Sequence, residues 1–160
     1  MLMNEETLEY EKLMQILDEV LTKVELLHTP SHDFGTGIPI YRKEIHTLQA
    51  IGRHPKINIT ALAEYMGVTK GAVSQTIAKL IKKGMVQKQY AKGSKKEVIL
   101  ELTDLGWVGF HNHEKFHMEM LDIARECYGE QLNTKIEMFT NVMIDLNAIL
   151  DEYETRKKTM

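Results

Sequence analysis

The hydrophobic period of this chain changes at Gly84, and that change constrains the fold more than any other feature. Before Gly84 the apolar residues recur at helical spacing; from Met85 to Leu102 they alternate. Val73, Ile77, Leu80 and Ile81 form the apolar stripe of a helix predicted over 70–83, with Thr69 as its N-cap and Gly84 as its stop. A shorter helix over 61–66, capped by Thr60 and closed by Gly67, comes just before it. After Gly84, residues 85–90 and 97–102 read as two strands joined by the basic loop AKGSKK. Short helix, capped longer helix and hairpin follow one another in the order of a winged helix-turn-helix.

The flanks are helical. Over 4–28, Leu13, Leu17, Val20, Val24 and Leu27 recur at helical spacing, and the approach to Pro30 ends the helix. The stretch SHDFGTG reads as loop. A helix over 42–52 turns Ile45, Leu48 and Ile51 inward. Thr103 caps a long helix predicted to reach Cys127, and Gly129 breaks it. In a last helix over 131–155, Leu132, Ile136, Phe139, Met143, Leu146, Leu150 and Tyr153 form a heptad-like seam that calls for a partner helix. The expected fold is therefore mainly α with a small β-hairpin wing. Residues 40–103 form the winged helix-turn-helix, and 1–38 and 104–160 supply long dimerisation helices. The dimer seam is expected at Leu13, Leu17, Val20, Leu146, Leu150 and Tyr153; the alternative is that the last helix packs only on its own domain.

Composition narrows the class. At 43% hydrophobic and 27% charged residues the chain has enough apolar material for a core. The single cysteine, Cys127, excludes an intrachain disulfide and CxxC zinc ribbons, and is expected to be buried or partly buried on its helix. The acidic start MLMNEETLEY and the absence of a long apolar run lead us to expect a soluble, cytoplasmic protein with no membrane partner.

The net charge of −3 conceals a segregation: residues 53–96 carry +9 and the remainder −12. A positive middle points to a phosphate-rich partner, against the alternative of a merely solvated Lys-rich surface. Removing the apolar stripe from the 70–83 helix leaves Lys70, Gly71, Ser74, Gln75 and Lys79 facing outward, beside the cap Thr69. Ser74 and Gln75 suit base edges, Gln pairing bidentately with adenine; Lys70 and Lys79 suit phosphates. Lys92, Lys95 and Lys96 of the wing can reach an adjacent groove or the backbone. The predicted partner is double-stranded DNA.

Taken together, EIHTLQAIGRHPKINITALAEYMGVTKGAVSQTIAKLIKKGMVQKQY…KKEVILELTDLG resembles the MarR family of transcription regulators, most tightly over 44–106. The resemblance implies a non-enzymatic homodimer that binds a pseudo-palindromic operator, usually as a repressor and often under control of a small-molecule effector. One departure is that Lys96 stands where the family commonly has a wing-tip Arg, which removes a planar fork from that position. The alternative from another binding class is a non-specific architectural DNA-binding protein.

Histidines form the last constellation. His111, His113 and His117 crowd together, and His113 and His117 are i and i+4 on one helix, so both can face one ion. Their face continues through Phe110, Leu121, Ala124 and Tyr128, which predicts that it points inward. Further donors are available at His46, Glu25, His28, His32 and Asp33. The pattern is similar to the zinc-sensing branch of the MarR family, which implies His46, His113, His117 and Glu25 as zinc ligands. Two alternatives stand beside it: ordinary surface or interface histidines, and a small metallo-hydrolase, because His113–His117 spells HExxH with Glu114 as its base.

Overall fold

The computed structural model describes residues 5–27, 32–90 and 98–158. They form two compact units, one ending at Glu114 and one starting at Lys115. The first contains α1 (Glu5–Leu27), α2 (Arg42–Arg53), α3 (Ile59–Tyr65), α4 (Lys70–Lys82), an antiparallel hairpin of β1 (Val86–Tyr90) and β2 (Val98–Leu102), and the opening turns of α5 (Asp104–Tyr128). The second holds the rest of α5, a 3-10 turn at Gly129–Gln131, and α6 (Leu132–Lys158).

The core of the first unit lies between residues 40 and 102. Ile40, Ile45, Leu48, Leu62, Ile77, Leu80, Met85 and Leu100 are essentially inaccessible. The hairpin register pairs Val86 with Leu102 and Lys88 with Leu100, and Leu100 N–H donates to the Ile57 carbonyl at 2.8 Å, which ties the wing to the loop between α2 and α3. Thr69 caps α4, its Oγ1 accepting from Ala72 N–H at 3.2 Å, and Gly84 ends the helix region at φ +72°.

Two local expectations are corrected. Asn58, not Thr60, caps α3: its backbone is extended and its Oδ1 accepts from Ala61 N–H at 2.9 Å, so Ile59 and Thr60 are already helical. Ile81 is 38% exposed. Val73, Ile77 and Leu80 at i, i+4 and i+7 complete the buried stripe, and the next residue, about 100° further round, falls on its flank.

The entry to α5 explains the sequence LTDLG. Thr103 Oγ1 donates to the Gly84 carbonyl at 2.6 Å and accepts from Gly106 N–H at 3.1 Å. A Cβ on Gly106 would lie 2.1 Å from the Met85 carbonyl oxygen, so only glycine admits this seating of α5 on the turn between α4 and β1.

In the second unit no α6 residue is buried. Ile136, Phe139, Met143, Leu150 and Tyr153 are roughly half exposed or more, with Leu132 and Leu146 partly covered. An open groove of 790 Å³ runs along Ala124, Tyr128, Leu132, Ile136, Phe139 and Met143. Leu13 and Val20 of α1 are also about half exposed, and Leu17 is partly covered. Cys127 is exposed, contrary to the expected burial, because its stretch of α5 is uncovered. No described helix is long and apolar enough to cross a membrane.

Candidate nucleic-acid interface and histidine pair

Burial of Val73, Ile77 and Leu80 turns the opposite side of α4 to solvent. Thr69, Lys70, Gly71, Ser74, Gln75 and Lys79 are all exposed there. The first turn of α4 contains no acid, so the partial positive charge of its amide end is left for an anion. Thr76, half-buried at the edge of this face, donates its hydroxyl back to the Ala72 carbonyl at 3.1 Å. Lys92, Lys95 and Lys96 lie outside the described residues.

A second set of contacts fastens α4 to the start of α2. Glu44, at the third position of α2, is 3% exposed and accepts Tyr41 N–H at 2.9 Å. Lys83 Nζ donates to the same Glu44 oxygen at 2.6 Å and to the Pro39 carbonyl at 2.7 Å, and lies 4.9 Å from the centre of the Tyr41 ring. The sequence gives little sign of this pair, because Lys83 sits in a basic run and Glu44 is 39 residues away.

Of the four residues implied as metal ligands, two meet. His113 is fully buried with both ring nitrogens covered. Its ring lies 5.4 Å from that of His46 at 80° and 5.0 Å from that of Phe34 at 85°. His46 Nδ1 is 3.3 Å from Gln49 Oε1. Gln49 Nε2 and Arg53 Nη2 both donate to Glu114 Oε1, at 2.6 and 2.7 Å. The Glu114 of HExxH is thus engaged in joining α5 to α2.

Phe34 belongs to a strap, residues 32–40, that crosses α5. Asp33 closes the strap on itself, its carboxylate accepting from Gly35 and Gly37 N–H at 2.9 and 3.2 Å. Phe34 takes φ +48°, and its carbonyl accepts from Asn112 Nδ2 at 2.8 Å. The strap covers His113 and was legible in sequence only as a loop.

The other two implied ligands are placed differently. His117 is exposed and belongs to the second unit, and Glu25 is exposed on α1. The expectation that the whole histidine face points inward is therefore corrected. Helical spacing aligned His113 with His117, but the strap packs on His113 and His117 is exposed. Among the described residues, no three His, Cys, Asp or Glu side chains are grouped to hold a metal. His28 lies outside the described residues.

Residues 40–98 match the family model for the MarR family. This segment is a MarR-family segment. It contains α2 to β1 and reaches the first residue of β2, the stretch that carries the exposed face of α4. A curated relative is the HTH-type transcriptional regulator YhjH of Bacillus subtilis strain 168, 31% identical over 103 residues, which is 64% of this chain and 55% of the relative. The chain spans about half the length of the first curated relatives it matches. Streptococcus pneumoniae FabT, in a complex with DNA, superposes with a TM-score of 0.74 at 22% identity, covering 89% of this chain and 98% of that one. Lactococcus lactis ZitR, a zinc-responsive MarR family member, gives a TM-score of 0.63 at 16% identity, covering 85% and 96%. These two likenesses establish a shared MarR-type fold.

Proposed function

We propose that this chain is a sequence-specific, DNA-binding transcription regulator. It acts in the cytoplasm as a homodimer on a pseudo-palindromic operator, most simply as a repressor, and is not an enzyme. The observation that carries this reading is the solvent face of α4. Lys70, Ser74 and Gln75 stand on it in the first two turns, near the amide end of the helix, and Lys79 lies in its last turn, all inside a segment of +9 charge. Lysines set the register on phosphates while Ser74 and Gln75 read base edges, each good bidentate pair being worth about 1–3 kcal/mol. FabT, which shares this fold, was solved in complex with DNA, and this supports DNA as the partner. Residues 40–103 form the DNA-binding region in this reading. The helices of 1–38 and 104–160 supply the dimer, and the uncovered apolar seam of α6 supports that role.

Footprinting after selection from random duplexes tests it. Wild type is expected to protect one discrete palindrome, and Ser74→Ala or Gln75→Ala to relax sequence preference. Lys95→Ala or Lys96→Ala is expected to weaken all sequences alike and lower the salt slope by about 0.9 per lost phosphate contact. Uniform protection of random DNA by wild type would make the chain an architectural binder instead.

The histidine pair supports a second element of the reading, a zinc ion as effector. With Zn–N near 2.0–2.1 Å, two imidazoles on one tetrahedral ion hold their centres about 5 Å apart. His46 and His113, at 5.4 Å, fit that spacing. His117 and Glu25 remain the proposed further ligands, and ZitR shows that this fold serves zinc response elsewhere. Bound zinc would supply a fixed charge that holds α2 and α5 together. Calorimetry is expected to give saturable zinc binding to wild type and none to His113→Ala; equal titrations of both proteins would leave the pair as a packing element.

A further inference from the structure

We infer that Lys83, although it lies inside the basic segment, is a positioning residue that aims the recognition helix and makes no phosphate contact. The inference rests on the DNA-binding reading above. A lysine that binds phosphate keeps its ammonium in water, as the exposed Lys79 and Lys82 do. Lys83 does the opposite. Its side chain is 20% exposed and that of Glu44 only 4%. Of the three N–H donors of an ammonium, two are engaged at 2.6 and 2.7 Å by the Glu44 carboxylate and the Pro39 carbonyl. The Tyr41 ring takes up a further side of the charge.

The position of this cation gives it its role. Lys83 is the C-cap of α4, so the tie joins the far end of the recognition helix to the N-terminal turn of α2. The buried stripe of Val73, Ile77 and Leu80 holds α4 against the core, but apolar contact is non-directional. The Lys83–Glu44 pair adds a directional restraint against roll about the helix axis. Side-chain tips lie about 5–6 Å from that axis. A roll of about 10° therefore moves the Gln75 amide by about 1 Å, beyond the ~0.5 Å that a preorganised contact tolerates.

The test compares wild type, Lys83→Met, Lys83→Arg and Glu44→Gln on an operator selected with wild type and on a scrambled duplex, across a salt series. Loss of folded protein scales both affinities together, so their ratio isolates aim from stability. Lys83→Met is expected to lower the operator-to-scrambled ratio about tenfold, within the range of one misaligned bidentate contact, with an unchanged salt slope. Lys83→Arg, which restores a cation to Glu44, is expected to recover most of the ratio, and Glu44→Gln to lose part of it. Glu44→Gln keeps its shape and provides the measurement if Lys83→Met fails to fold. A Lys83→Met protein that loses both duplexes equally, with a slope reduced by about 0.9, makes Lys83 a phosphate contact and overturns the inference while the DNA-binding reading stands. Unchanged ratios in all three variants overturn it as well. If wild type itself binds both duplexes alike, it is the regulator reading that fails, and the inference with it.

Discussion

Gly106→Ala and Gly71→Ala place the same methyl group in two helices with opposite expected results. At Gly106 the new Cβ meets the Met85 carbonyl oxygen at 2.1 Å and the Leu102 Cβ at 3.2 Å. Clearing the oxygen requires the start of α5 to lift by roughly 1 Å. The hydrogen bond from Thr103 N–H to that oxygen, now 3.1 Å, then stretches to about 4 Å and is lost, at a cost of about 0.5–1.5 kcal/mol. Overpacking against the buried Met85 and Leu102 adds about 1–3 kcal/mol. The higher helix propensity of alanine returns about 1 kcal/mol. The net loss is about 2 kcal/mol, which for a chain of this length lowers the melting temperature by about 4–8 °C. Gly71 is exposed, and its nearest neighbour would be Thr69 Oγ1 at 3.9 Å, so only the propensity gain applies, up to about 1 kcal/mol. Circular dichroism melts of both variants beside wild type measure the pair. If Gly106→Ala melts within about 1 °C of wild type, or both variants shift in the same direction, the claim that α5 seats on the α4–β1 turn through a bare backbone is refuted.

Two further outcomes follow from the caps and the seam. Asn58→Ala is expected to cost about 1 kcal/mol in urea unfolding, whereas Thr60→Ala stays within about 0.5 kcal/mol of wild type, since only Asn58 receives the α3 amide. Changing Leu146 and Leu150 together to Lys puts unpaired charge into the proposed α6 interface at a cost of several kcal/mol. Sedimentation is then expected to show monomers, and a double variant that stays a folded dimer rules that interface out.

What the sequence made legible is what periodicity and local chemistry carry. The stripe of α4, the Thr69 cap, the change to strands after Gly84 and the Thr103 start of α5 depend on residues within one or two turns of each other. The errors arise where a choice depended on the rest of the fold. Asn58 and Thr60 are both good caps, and backbone conformation decided between them. Ile81 is apolar and one residue from a buried position, yet the packed face had already been filled. His117 shares a helical face with His113, but a face is buried only where something covers it. The tie of Lys83 to Glu44 and the seating of Phe34 on His113 link residues 39 and 79 positions apart; composition recorded their charge and polarity without pairing them.

The strap has a consequence for which changes the chain tolerates. Surface loops usually accept insertions, because their ends are held while their middle is free. Here both ends of residues 34–39 are fastened by backbone carbonyls, Phe34 to Asn112 and Pro39 to Lys83, and Asp33 fixes the turn between them. One added residue moves one of those carbonyls off its donor by up to about 3.5 Å. The length of this loop is therefore as constrained as the register of the hairpin, and a library of single-residue insertions should find it closed to them on either side of Gly37.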